Sequence, residues 1–144
     1  MDYTYGNNEA VLIENMARVY VSIHYKEGLR PSQWEALRFF ANNPGTPLSE
    51  FAKWRKSTMG TTSMTVSQLV ERGLLTREGG RNVGIRPTAL GKKLLSENPL
   101  DAFQRAIETL PAGERRSFRN IMEKIIDQVA DVEETSANSD SGHI

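Results

Sequence analysis

The sequence predicts a mainly α-helical fold with one small β-hairpin (α+β): a winged helix-turn-helix flanked by N- and C-terminal dimerisation helices. Three observations carry this. Between Thr46 and Leu90 a short helical segment, a turn, a longer helical segment and a glycine-centred hairpin follow one another. Residues 10–26 and 111–132 repeat apolar side chains at three- and four-residue intervals, the period of a helix covered along one side. Charge is also uneven. The 144-residue chain balances 18 basic against 18 acidic residues, yet residues 47–93 hold nine basic and three acidic, a net +6 set against −6 elsewhere.

The elements follow in order. Residues 1–8 read as a flexible leader. The first helix covers 10–26, with Leu12, Met16, Val19, Tyr20 and Ile23 on one stripe, and Gly28 ends it. Pro31, tolerated in a helix's first turn, opens a second helix over 32–41, where Trp34, Leu37, Phe39 and Phe40 supply core bulk. Asn42-Asn43-Pro44-Gly45 breaks it. A third helix spans 48–56, capped near Thr46 with Pro47 at its first position. Ser57 or Thr58 caps the fourth, which runs to Arg72; Thr62, Thr65, Val66 and Leu69 share its inner side and Gly73 stops it. Residues 74–77 and 82–86 read as strands around Glu78–Arg81, closed by Pro87. Thr88 starts another helix through Leu95, Asn98-Pro99 interrupts, and helical spacing resumes over 100–110. Pro111 opens the last helix, and residues 133–144 lack an apolar pattern and read as a disordered tail. The division is thus leader 1–8, N-terminal dimerisation helix 9–30, winged region 31–90, C-terminal dimerisation helices 91–132 and tail 133–144.

A helix stripe is usually core. Here the winged unit is small, so the stripes of the first and last helices also suit a second protomer. The interface candidates are Leu12, Met16 and Val19 with Phe118, Ile121, Met122, Ile125 and Val129. A symmetric pair places two reading helices on successive major-groove faces of duplex DNA.

With its inner side assigned, the fourth helix presents Thr58, Met59, Gly60, Ser63, Met64, Ser67 and Gln68 outward. They are small and uncharged, near an end where backbone N–H groups and the helix dipole suit a phosphate. The hydroxyls of Thr58, Ser63 and Ser67 suit phosphates or base edges, and Met59 and Met64 suit thymine methyls. Thr58 doubles as a helix cap, and an exposed methionine without a role is the competing reading for the other two. Arg81 stands at the hairpin tip, where an arginine can enter a minor groove, with Arg77, Asn82 and Arg86 on the flanking strands. Lys53, Arg55 and Lys56 lie beside the turn to grip backbone. Solvated surface charge is the alternative reading of the basic segment; its coincidence with this pattern favours DNA.

These residues resemble the MarR family of winged-helix regulators over residues 10–132. The resemblance rests on PSQWEALRFF, LSEFA, TTSMTVSQLVERGLL and IRPTALGKKLL in that order and spacing. It implies an obligate homodimer on pseudo-palindromic operators, commonly a repressor, in the bacterial cytoplasm at the nucleoid. It also implies a small aromatic or phenolic effector bound between the dimer and DNA-binding regions. Tyr20, His24, Trp34, Leu37 and Phe40 are the candidate lining, though core packing suits them as well. Three positions depart from the family pattern. Arg55-Lys56 replaces a Leu-Gly pair, so the turn must close without glycine, with Trp54 supplying packing. Gly79 replaces the aspartate that steadies the wing arginine, leaving Glu78 as a substitute. Met64 stands where a basic residue is common.

Other chemistries find little support. No phosphate loop, dinucleotide fingerprint or nucleophile elbow appears, so no enzyme activity and no cofactor are expected. Zero cysteines exclude disulfides and thiol sensing; some relatives in the family bind zinc through several histidines, and with only His24 and a tail His143 no such metal site is expected here. No stretch is apolar enough for a membrane span, and the N-terminus lacks a signal-peptide layout, so a cytoplasmic location is expected. The remaining alternative is a winged-helix docking module or antirepressor with weak or no specific DNA binding.

Overall fold

A computed structural model describes residues 8–81 and 83–141, and their side chains as far as Val132. The chain divides into two compact units, one ending at Leu100 and one beginning at Asp101.

In the first unit, α1 (Glu9–His24) is capped by Asn8, whose side chain accepts from the Val11 N–H. Asn8 therefore belongs to the helix and not to a leader; residues 1–7 lie outside the described residues. The helix stops two residues short of the expected end because Glu27 (φ 55°) and Gly28 (φ 71°) make a tight turn that bridges Lys26 to Leu29. Helix α2 (Pro31–Asn42) follows, with Gln33 reaching back to the Arg30 N–H at 2.9 Å in a capping box. Helix α3 (Leu48–Arg55) begins one residue after Pro47, which is its N-cap and not its first helical residue; the Thr46 hydroxyl instead donates to the Asn43 carbonyl at 2.7 Å. Helix α4 (Met59–Glu71) is capped by the Thr58 hydroxyl at the Thr61 N–H and ends at Gly73 in the left-handed region (φ 73°), as expected.

The hairpin pairs β1 (Leu75–Glu78) with β2 (Gly84–Pro87) antiparallel, in the register Leu75↔Pro87 to Glu78↔Gly84. Both strands lie one or two residues later than the spacing indicated. The cause is a second contact on the far side of β2: Ile85 exchanges backbone hydrogen bonds with Gly45 (2.9 Å) and Thr46 (3.0 Å). That crossing requires glycine, since a Cβ on Gly84 would lie 2.5 Å from the Gly45 carbonyl oxygen. Thr88 caps α5 (Ala89–Leu94), which packs so closely that a Cβ on Gly91 would overlap the Leu74 carbonyl oxygen. A 3-10 turn, Leu95–Glu97, leads to Asn98.

Helix α2 is the centre of the core. Trp34, Leu37 and Phe40 meet Phe51 of α3, Val66 and Leu69 of α4, and Leu74, Leu75 and Ile85 around the hairpin. Apolar burial on this scale is the main source of the unit's stability.

The second unit begins within α6 (Leu100–Glu108) and continues into α7 (Ala112–Ser141). Phe118, Ile121, Ile125, Ile126 and Val129 are exposed along α7, beside a groove of about 660 Å³ that includes Ile107, Phe118, Met122 and Ile126. Residues 133–141, expected as part of a disordered tail, continue α7. No proline or glycine interrupts the backbone before Gly142; residues 142–144 lie outside the described residues.

Lys56 resolves the missing glycine between α3 and α4. It adopts the left-handed conformation itself (φ 55°, ψ 41°), closing the turn with its N–H on the Ala52 and Lys53 carbonyls. A side chain pays roughly 1 kcal/mol for that conformation relative to glycine. Lys56→Gly is therefore expected to stabilise the fold by about 0.5–1 kcal/mol in urea unfolding, whatever it does to binding. Destabilisation would show that the lysine side chain supplies more than the turn costs.

Candidate nucleic-acid interface

The outer face of α4 is built from its inner one. Burial of Thr62, Thr65, Val66 and Leu69 against α2, α3 and the hairpin turns Met59, Gly60 and Met64 to solvent; the two methionines are 51% and 64% exposed. Ser63 is half-buried on the same face. Exposed Lys53 and Lys56 lie just before the N-terminus of α4 in the chain. The Thr58 hydroxyl caps the helix and donates to the Thr61 hydroxyl at 3.0 Å, so Thr58 shapes this end from within the protein. Thr61, omitted by the sequence reading, is exposed there too; its position one turn after the cap was the available signal.

Further along α4 the side chains turn to internal partners. The Arg77 guanidinium donates to the Ser67 hydroxyl at 3.0 Å, tying β1 to α4. The Gln68 carbonyl oxygen accepts from Gln33 at 3.1 Å and from Arg30. Ser67 and Gln68, expected to face a duplex, are thus partly engaged in joining α4 to β1 and to the start of α2.

The hairpin shows the same sorting. Glu78 pairs with Arg86 at 3.2 Å, and Arg86 also lies across Gly45, where a Cβ would come within 2.9 Å of its guanidinium. Glu78 therefore does not steady Arg81, and Arg86 braces the hairpin. Gly79, in the left-handed region at φ 101°, occupies the position of the absent aspartate. Arg81 is exposed and has no side-chain partner among the described residues; Asn82 lies outside them. Arg55 pairs with Glu35 at 3.0 Å, and Arg72 donates to the Glu27 and Gly28 carbonyls at 3.0 and 2.8 Å. Of the basic residues in the segment, Lys53, Arg81, Lys92 and Lys93 stand exposed with no side-chain partner among the described residues.

The five candidate effector residues do not line one pocket. Trp34, Leu37 and Phe40 are fully buried core, in one cluster with residues of α3, α4 and the hairpin. His24 is also fully buried, its Nδ1 2.8 Å from the Tyr20 carbonyl oxygen and its Nε2 3.2 Å from Arg38. Burial lowers its pKa below the ordinary value of 6.5; the Tyr20 carbonyl opposes that shift and the Arg38 charge adds to it. Only Tyr20 reaches a cavity, of about 450 Å³, lined also by Glu35, Arg38, Phe39, Trp54 and Leu100. Trp54 is 60% exposed, with its ring against Phe39 and Phe51, so it supplies the packing expected of it and walls this cavity. Arg38 was missed; an arginine between Leu37 and Phe39 on an apolar helix was the signal.

This order of helices around one two-stranded hairpin matches the fold of solved structures. A Staphylococcus aureus MarR in complex with salicylate and kanamycin is 22% identical, with 85% of this chain and 88% of that one covered at a TM-score of 0.71. The fold is that of the MarR regulators. A MarR protein from Peptoclostridium difficile (21% identity, 91% and 93% covered, TM-score 0.71) and a MarR transcriptional regulator from Methanosarcina mazei (19%, 85% and 96%, 0.70) share it. No protein-family profile and no curated protein matches the sequence. Within the MarR fold, no described helix is long and apolar enough to cross a membrane.

Proposed function

We propose that this chain is a DNA-binding transcriptional regulator, a homodimer that represses from a pseudo-palindromic operator in the bacterial cytoplasm. The observation that carries the reading is the bare N-terminal half of α4 beside a braced hairpin. Met59, Gly60 and Met64 face solvent with half-buried Ser63 beside them, while Arg77–Ser67 and Arg86–Glu78 hold the wing and leave Arg81 outward. Such a surface suits insertion of α4 into a major groove, with Arg81 on a minor groove or its phosphates and Lys53 and Lys56 on the backbone. Met64, where a base would suit a charged reader, favours thymine methyls. The exposed stripes of α1 and α7 supply the dimer surface. Salicylate complexes in the solved MarR fold support a small aromatic or phenolic effector, for which the cavity at Tyr20, Phe39 and Trp54 is the available space.

Met64→Ala and Ser63→Ala are expected to alter base preference at one or two operator positions by about 1 kcal/mol each, with a smaller change in affinity for random duplex. Selection from a randomised duplex pool reads this directly. An unchanged consensus for both variants would remove these residues from base readout.

A further inference from the structure

A fully buried histidine is bonded to an arginine, an unusual pairing of two groups that are both cations when protonated. His24 is the last residue of α1, and its ring stacks on Tyr20 with centroids 3.9 Å apart. A carbonyl oxygen only accepts, so the 2.8 Å contact to the Tyr20 carbonyl places the proton on Nδ1. In the neutral ring Nε2 then carries a lone pair, and Arg38 donates to it at 3.2 Å. The same guanidinium donates to the Asn98 side-chain oxygen at 3.0 Å and to the Tyr20 hydroxyl at 3.2 Å. Asn98 in turn accepts from the Leu100 N–H at 3.1 Å, at the start of α6. One arginine thus joins the end of α1, the middle of the core helix α2 and the segment that leads out of the winged unit.

Protonation of His24 would put an N–H on Nε2, facing the Arg38 N–H. Two donors and two positive charges cannot keep that contact. The carboxylates beside them are already engaged. His24 faces Tyr20 on its own helix and Arg38 from α2, and Arg38 in turn faces Asn98 beyond α5. The adjacent Glu97 is paired with Lys26 at 3.1 Å, and Glu35 on α2 with Arg55 at 3.0 Å. Among the described residues no carboxylate lies within ion-pair distance of His24 or Arg38.

We propose that His24 and Arg38 form a proton-sensitive latch, closed while His24 is neutral and opened by acidification, which frees Arg38 from α1 and Asn98 and weakens DNA binding. The DNA part rests on the function proposed above; the latch does not. The direction follows from linkage. Since the folded protein holds His24 below its ordinary value, the latch is fully present above about pH 6.5 and is lost as pH falls through the lowered folded value.

The test uses the full chain. With two histidines in the sequence, imidazole carbon NMR resolves His24 from His143, and a His143→Asn variant assigns them. His24 is expected to titrate below the ordinary value of 6.5, with the Arg38 side-chain signals shifting in step. Between about pH 7.5 and pH 5.5 the folding equilibrium constant should fall up to about tenfold more in the wild type than in His24→Gln, whose amide keeps a neutral partner for Arg38. Operator affinity should fall over the same range in the wild type only. A His24 titrating at or above 6.5, Arg38 signals unmoved by its titration, or equal pH slopes in both proteins would overturn the latch. Should His24→Gln fail to fold, the coincidence of the His24 and Arg38 titrations in the wild type decides alone. If no duplex is bound at any pH, the regulator reading fails, and the NMR and stability measurements still judge the latch.

Discussion

Ile125→Glu is expected to turn the protein from a dimer into a monomer at micromolar concentration. Ile125 lies between Ile121 and Val129 on the exposed stripe of α7, and symmetry places the new carboxylate in the interface twice. An unpaired buried charge costs several kcal/mol, so the dissociation constant should rise by about a hundredfold or more. Operator binding should fall with it by roughly 10²–10⁴, because two half-sites no longer act through one linked reader. The variant should otherwise fold, since the core of the winged unit is drawn from α2, α3, α4 and the hairpin. Sedimentation at low concentration, with circular dichroism as the folding check, reads both. A well-folded dimer of unchanged affinity would refute the proposed interface.

Arg81→Ala is expected to weaken binding to every duplex by about tenfold at moderate salt and to reduce the salt slope by about one counterion. The expectation follows from sorting the basic residues by partner. Arg86→Ala should behave differently: loss of its pair with Glu78 and its packing over Gly45 should lower stability and loosen the wing, with a smaller change in salt slope. Titration of both variants at several salt concentrations separates them. An unaltered slope and affinity for Arg81→Ala would remove the wing tip from the DNA contact.

Local signals in the chain foretold the elements that depend on local chemistry. Thr58 and Thr88 cap their helices, Gly73 ends α4, and the four inner residues of α4 are the four buried ones. The need for a left-handed residue at the α3–α4 turn was readable from the absent glycine, and Lys56 meets it. Features set by partners distant in sequence were not readable. Gln68 turns to Arg30 and Gln33, Arg86 crosses Gly45, and Arg38 joins buried His24 to Asn98. The hairpin limits shifted for the same reason, since the Gly45–Thr46 contact on β2 leaves no trace in the hairpin's own pattern. Trp34, Leu37 and Phe40 fit two descriptions, core and pocket wall, because bulky apolar residues at helical spacing satisfy both; the core reading is the better one, and their full burial in the central cluster agrees with it.

The central claim is that this surface reads a specific duplex. Selection of bound fragments from genomic DNA, with the enriched sequences retitrated across salt, tests it most directly. The account predicts an enriched inverted repeat with half-sites about one helical turn apart and an affinity that falls steeply with salt. Absence of enrichment, with weak and salt-insensitive binding, would contradict it and assign the winged unit to docking on another protein.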